Sequence, residues 1–135
     1  MKRLFIDTAG WMMLADASDP RHRDAMMHRD AWLEQGAILV STDYVMDETL
    51  TLIRVRMGIH AAERWWEQTE GSERLQWRWL EPEHAEKARG LFFRWRDKTF
   101  SFTDCTSFVV MRELRVKTAL TSDRHFRRFG FEILP

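Results

Sequence analysis

Short apolar runs alternate with longer stretches of helical periodicity along the whole chain, and no other feature limits the possible folds as much. The rhythm points to an α/β domain. Residues 3–7 read as a buried strand ending in a carboxylate, followed by a helix from about Ala9 to Asp16. Asp19-Pro20 supplies a capping carboxylate and a proline for the first helical position of a second helix, which Gly36 stops after Gln35. Residues 37–41 form the next strand. Thr42 caps a helix to about Met57, Gly58 ends it, and another helix carries Trp65 and Trp66 to about Glu70. Residues 75–80 alternate with period two, as a strand does. Pro82 opens a helix to about Arg96, a loop holds Lys98 to Phe102, and Thr103 begins a helix to about Leu114. Strands over 118–121 and 131–134 close the chain, with Asp123 capping a turn of helix between them.

Every strand-to-strand connection except the last is long enough for a helical crossover, so the sheet is expected to be parallel. With no repeat, linker or low-complexity tract in 135 residues, one domain spanning residues 1–135 is expected. In such sheets the functional site lies beyond the carboxyl ends of the strands. Asp7 and Asp123 follow the first and fourth strands. If those strands are neighbours, the two acids meet.

Two further acids can reach the same edge. In its helix, Glu48 shares a face with Val45 and Leu52, near the helix N-terminus and the carboxyl edge of the sheet. Asp47 is turned about 100° away. Asp104 lies on one face with Phe108 and Met111, where a carboxylate is costly to bury without a partner. Four ionised carboxylates at one point repel one another, and a divalent cation relieves the repulsion. All-oxygen ligands suit Mg²⁺ or Mn²⁺, whose natural chemistry here is phosphodiester hydrolysis. Each acid also has a plainer reading. Asp7, Asp104 and Asp123 can serve as helix caps, and Glu48 as a surface acid paired with an arginine.

Composition narrows the function. The 21 basic and 21 acidic residues cancel, which argues against a passive nucleic-acid coat but not against an RNA enzyme. Arg112, Arg115, Lys117, Arg124, Arg127 and Arg128 crowd the last third, as an RNA-facing patch or a solvated helix face. The single Cys105 excludes an internal disulfide and a cysteine-based zinc site, and fits a reducing cytoplasm. No secretory leader is visible, and no stretch approaches the roughly 20 apolar residues of a membrane span. The five histidines show no zinc spacing. His125 alone, two residues past Asp123, is placed to touch substrate. Trp11, just beyond Asp7, is either core or a stacking platform for a base. Phosphate-loop and dinucleotide-binding glycines are missing after the first strand. So are the second aspartate of a haloacid-dehalogenase phosphatase and the acidic pair of a phospho-receiver.

Taken in order, Phe5-Ile6-Asp7-Thr8, Tyr44-Val45-Met46-Asp47-Glu48-Thr49, Phe102-Thr103-Asp104 and Leu120-Thr121-Ser122-Asp123-Arg124-His125-Phe126 resemble the PIN domain, and within it the VapC-type toxins of toxin–antitoxin pairs. The resemblance covers essentially the whole chain. It implies a PIN-like three-layer sandwich, with a five-stranded parallel sheet in the order 3-2-1-4-5 flanked by helices, and Mg²⁺- or Mn²⁺-dependent endoribonuclease activity. Asp7, Glu48, Asp104 and Asp123 match the family's catalytic, metal-holding acids. Thr8 and Thr103 match its supporting hydroxyls, and Ser101 is a third candidate. An RNA substrate, a homodimer and a small antitoxin that covers the site are implied as partners. A housekeeping RNA-processing nuclease and a PIN-like module that binds without cutting are the alternatives; an intact acidic quartet favours cutting.

Overall fold

In the computed structural model, which describes residues 2–96 and 99–135, twelve elements alternate as expected. They are β1 (Arg3–Ile6), α1 (Thr8–Ala15), α2 (His22–Glu34), β2 (Ile38–Thr42), α3 (Asp43–Met57) and α4 (Ile59–Glu70), then β3 (Leu75–Arg78), α5 (Pro82–Arg94), α6 (Phe102–Leu114), β4 (Thr118–Leu120), α7 (His125–Arg128) and β5 (Glu132–Leu134). The five strands form one parallel sheet in the order β3-β2-β1-β4-β5, flanked by helices. Leu4, Phe5 and Ile6 of the central β1 are fully buried, as a strand covered on both faces requires.

The differences from expectation are local and have causes. Asp19-Pro20 forms a tight turn one step ahead of α2: Asp19 Oδ1 accepts the Arg21 amide at 2.8 Å and its carbonyl the His22 amide at 3.0 Å. Regular helical bonding starts with Ala25 N–H to the Arg21 carbonyl. β3 stops at Arg78, because the Leu80 amide turns to donate to Asp43 Oδ1 at 3.0 Å. The expected loop from Lys98 to Phe102 begins outside the described residues, and Phe102 already belongs to α6, because Ser101 caps that helix. The short connection from β4 to β5 still makes a parallel crossover, through the single turn α7.

Two features set the edge of the sheet where the acids lie. Gly10 brings α1 against β4: a Cβ at this position would fall 2.1 Å from the Leu120 carbonyl oxygen. Trp11 is core rather than a stacking platform. It is 5% exposed, its Nε1 donates to Ser41 Oγ at 3.1 Å, and that hydroxyl donates to the Ile6 carbonyl at 2.8 Å. Around it stand Trp65, edge-on at 5.4 Å, and Trp77, stacked at 6.0 Å. α1 is thus fixed to β1, β2 and β4 together. A second aromatic cluster, centred on Phe108 with Phe126 and Phe129, seats α6 against α7.

Candidate active site

Pairing of β1 with β4 sets Ile6 beside Leu120, so the next residues, Asp7 and Thr121, emerge together at the carboxyl edge. Asp7 caps α1: its Oδ1 accepts the Gly10 amide at 2.8 Å. Its Oδ2 accepts the Thr121 hydroxyl at 2.7 Å. The same hydroxyl oxygen accepts the Asp123 amide at 2.9 Å, so one threonine ties both aspartates to the end of β4. The Asp7 carboxyl is pushed up to about 7. Burial is the main cause; the two hydrogen bonds oppose it, and the charges of Asp104 and Asp123 add to it.

Asp104 stands in the first turn of α6 in a reciprocal cap. Its amide donates to Ser101 Oγ at 3.0 Å, and its Oδ2 accepts the Ser101 amide at 3.1 Å. Its carboxyl is pushed up to about 6, by burial first and then by Asp123, with Glu48 contributing and the Ser101 bonds opposing. Glu48 is half-buried on α3, whereas Asp47 is exposed. All four acids line one cleft of about 430 Å³, together with Thr8, Met12, Ser101 and Arg56; Asp47 does not. Asp7 feels Asp104 and Asp123, and Asp104 feels Glu48, so the four carboxylates are one electrostatic unit.

Among the described residues, the tightest group of metal-ligating side chains is Asp104, Asp123 and His125, with one donor atom of each within 4.8 Å of the others. His125 Nδ1 lies 2.9 Å from Asp123 Oδ1, an oxygen that also accepts the His125 amide at 2.9 Å. The imidazole thus orients the Asp123 carboxylate, a role well suited to a neighbour of a metal ligand. The chemistry of the donor set fits Mg²⁺ or Mn²⁺: hard carboxylate oxygens, crowded enough that two of them resist ionisation.

No protein-family model matches the chain. A curated relative, the 23S rRNA-specific endonuclease VapC20 of Mycobacterium tuberculosis, is 30% identical, with 98% of each protein covered. The chain belongs to the VapC family. The crystal structure of M. tuberculosis VapC20, described as a sarcin-ricin loop cleaving toxin, superimposes with a TM-score of 0.84 at 29% identity over 95% of each chain. The same fold recurs in VapBC2 of Rickettsia felis bound to a promoter DNA fragment, with a TM-score of 0.74, 8% identity, and coverage of 97% of this chain and 96% of that one. It recurs again in FitAcB of Neisseria gonorrhoeae, with a TM-score of 0.65, 13% identity, and coverage of 98% and 96%.

For a VapC chain, the hydroxyls around the acids are distributed differently from the sequence expectation. Thr8 is buried in the cleft lining, but its hydroxyl has no partner within the protein. Thr103 does not line the cleft, since one residue before Asp104 it is turned about 100° around α6. The hydroxyl that holds Asp7 belongs to Thr121, which sequence reasoning passed over as a strand residue. Its signal was present in the spacing Thr121-Ser122-Asp123, where a hydroxyl can take the amide two residues on.

Proposed function

We propose that this VapC-family chain is a metal-dependent endoribonuclease that acts as the toxin of a toxin–antitoxin pair, with Asp7, Glu48, Asp104 and Asp123 as its metal-holding catalytic acids. The observation that carries this reading is the Asp7 carboxyl pushed up to about 7 beside Asp104 and Asp123: the cleft concentrates negative charge that the protein alone does not neutralise. Asp7, Asp104 and Asp123, with Glu48 from α3, would hold the ion. Bound Mg²⁺ or Mn²⁺ supplies Lewis-acid stabilisation of developing negative charge and lowers the pKa of water. Thr121 fixes the rotamer of Asp7, Ser101 that of Asp104 and His125 that of Asp123, so the donors need little reorganisation. Arg56, in the cleft lining, adds positive charge for the RNA backbone.

VapC20 directs attention to ribosomal RNA as the substrate. Incubating the purified protein with Mn²⁺ and total RNA, then mapping new ends on 23S rRNA, tests the reading. A discrete internal cut is expected, and intact RNA at enzyme excess would reject it. The inhibitory partner is inferred to be a small antitoxin. A groove of about 640 Å³ between α1, α2 and α4, lined by Leu14, Met26, Leu33 and Ala61 with Arg29 and Arg64, suits an amphipathic helix bearing acidic residues. The neighbouring Met12 of α1 lines the acidic cleft, so a segment leaving the groove can cover the acids. We infer a homodimer as well; the exposed Trp79 and Phe93 offer apolar surface for such a contact. No helix among the described residues is long and apolar enough to cross a membrane. An RNA substrate and a buried Cys105 thiol both fit the cytoplasm. Unpartnered expression should slow growth; harmless expression of active enzyme would instead favour a processing nuclease.

A further inference from the structure

A second, smaller cavity of about 150 Å³ opens where the end of α5 meets α6 and α7. Its lining is of another kind from that of the acidic cleft. Arg94, Arg112 and Arg128 bring guanidinium groups from three helices, and Trp95, Phe100 and Phe129 supply aromatic faces. The arginines and Trp95 are exposed, while Phe100 is buried. Arg112 is held in place: its guanidinium lies 5.1 Å over the Phe129 ring and donates to the Phe129 carbonyl at 3.5 Å. Trp95 meets the same ring edge-on at 5.9 Å.

This pocket adjoins the acids. The Phe100 ring lies 4.8 Å from the ring of His125, and His125 Nδ1 lies 2.9 Å from Asp123 Oδ1 in the cleft. One layer of side chains, Phe100 and His125, separates the two cavities. An exposed indole beside several guanidinium groups takes a flat base on its face and a phosphate at its edge. The cavity is too small for a helix, and its charge is opposite to that of an RNA strand.

We propose that this pocket is a second RNA subsite, holding one nucleotide of the substrate strand away from the scissile bond, with its base against Trp95 and its phosphate against Arg94 and Arg128. The proposal rests on the ribonuclease reading above. It answers a need of that reading, because a strand entering a cleft of carboxylates is repelled, and a cationic anchor beside the cleft offsets the repulsion and fixes which bond is presented. The pocket therefore governs substrate affinity and register rather than the chemical step.

The test measures binding apart from cutting. A fluorescein-labelled single-stranded RNA of about 12 nucleotides is titrated with Asp7→Asn protein, alone and with added pocket substitutions, across a salt series. Arg94→Gln with Arg128→Gln should weaken binding about fivefold or more and lower the slope of log affinity against log salt by roughly 1.4, about 0.7 per lost phosphate contact on a single strand. Trp95→Leu should weaken binding about tenfold at an unchanged slope. In the active enzyme the same changes should raise the half-saturating RNA concentration and leave the saturated single-turnover rate within about twofold. Arg94 and Arg128 are exposed at helix ends, so these substitutions spare the core; melting curves check this. Wild-type affinity and slope in the double variant would overturn the proposal, whether the pocket serves an acidic peptide or only packs. RNA that binds through these residues but is never cut would instead reject the nuclease reading and keep the pocket.

Discussion

Glu48 and Asp47 are adjacent acids in one helix, and only their rotation distinguishes them. Glu48 faces the cleft and raises the Asp104 carboxyl, while Asp47 faces solvent. Glu48→Gln should slow single-turnover RNA cleavage at least about tenfold, or roughly 1.4 kcal/mol of transition-state stabilisation. Asp47→Asn should stay within a few-fold of wild type; the reverse ranking would place the site on the wrong face of α3. Thr121 is the other decisive residue. Thr121→Val removes the hydroxyl that donates to Asp7 and accepts the Asp123 amide, leaving buried polar groups unpaired. Cleavage should fall by an order of magnitude or more, and Thr121→Ser should recover most of it. A valine variant with full activity would show that Asp7 needs no such support. The contrast between these residues also shows what a sequence discloses. The rotation of Glu48 is a matter of three- and four-residue spacing. The Thr121 bond to Asp7 spans 114 positions and exists only because β1 pairs with β4.

At the scale of elements, the site depends on how closely α1 lies on β4. Gly10 permits the contact, and its amide also holds Asp7. Gly10→Ala sets a methyl group against the Leu120 carbonyl, an overpacking cost of about 1–3 kcal/mol. Thermal melting should fall by several degrees, and cleavage should suffer too, since α1 must shift away from β4. An unchanged melting point would mean that the helix sits more loosely than the structure has it. Element types and order were legible from the alternation of periods, and the reciprocal cap of Ser101 and Asp104 is local enough to read from four residues. Less legible was the crossover to β5: residues 121–131 carry only the short α7, and the cluster of Phe108, Phe126 and Phe129 that anchors it comes from two distant segments. The two cavities flanking the acidic cleft were not legible either, because each is built from several elements.

Across the whole molecule, the acids trade stability for chemistry. The Asp7 and Asp104 carboxyls are raised from 3.8 to about 7 and about 6 in the folded protein. The folded state therefore keeps protons that the unfolded chain gives up near pH 4. The stability this linkage contributes is full below about pH 4 and is lost as pH rises through 6 to 7. Metal-free protein should melt lower at pH 8 than at pH 5.5, by on the order of 2 kcal/mol from Asp7 alone. Asp7→Asn should flatten that dependence; a slope that survives the substitution would locate its origin elsewhere. Divalent metal should reverse the penalty, adding roughly 2.7 kcal/mol at 100 times its dissociation constant. The most direct measurement of the account joins metal to chemistry: single-turnover cleavage of one labelled RNA by wild type and by Asp7→Asn, Glu48→Gln, Asp104→Asn and Asp123→Asn, titrated with Mn²⁺ and then with EDTA. The account predicts cleavage only with metal, abolished by chelator, and slowed at least about tenfold in each variant, all of them folded. Undiminished cleavage in excess EDTA, or wild-type rates in the variants, would contradict it.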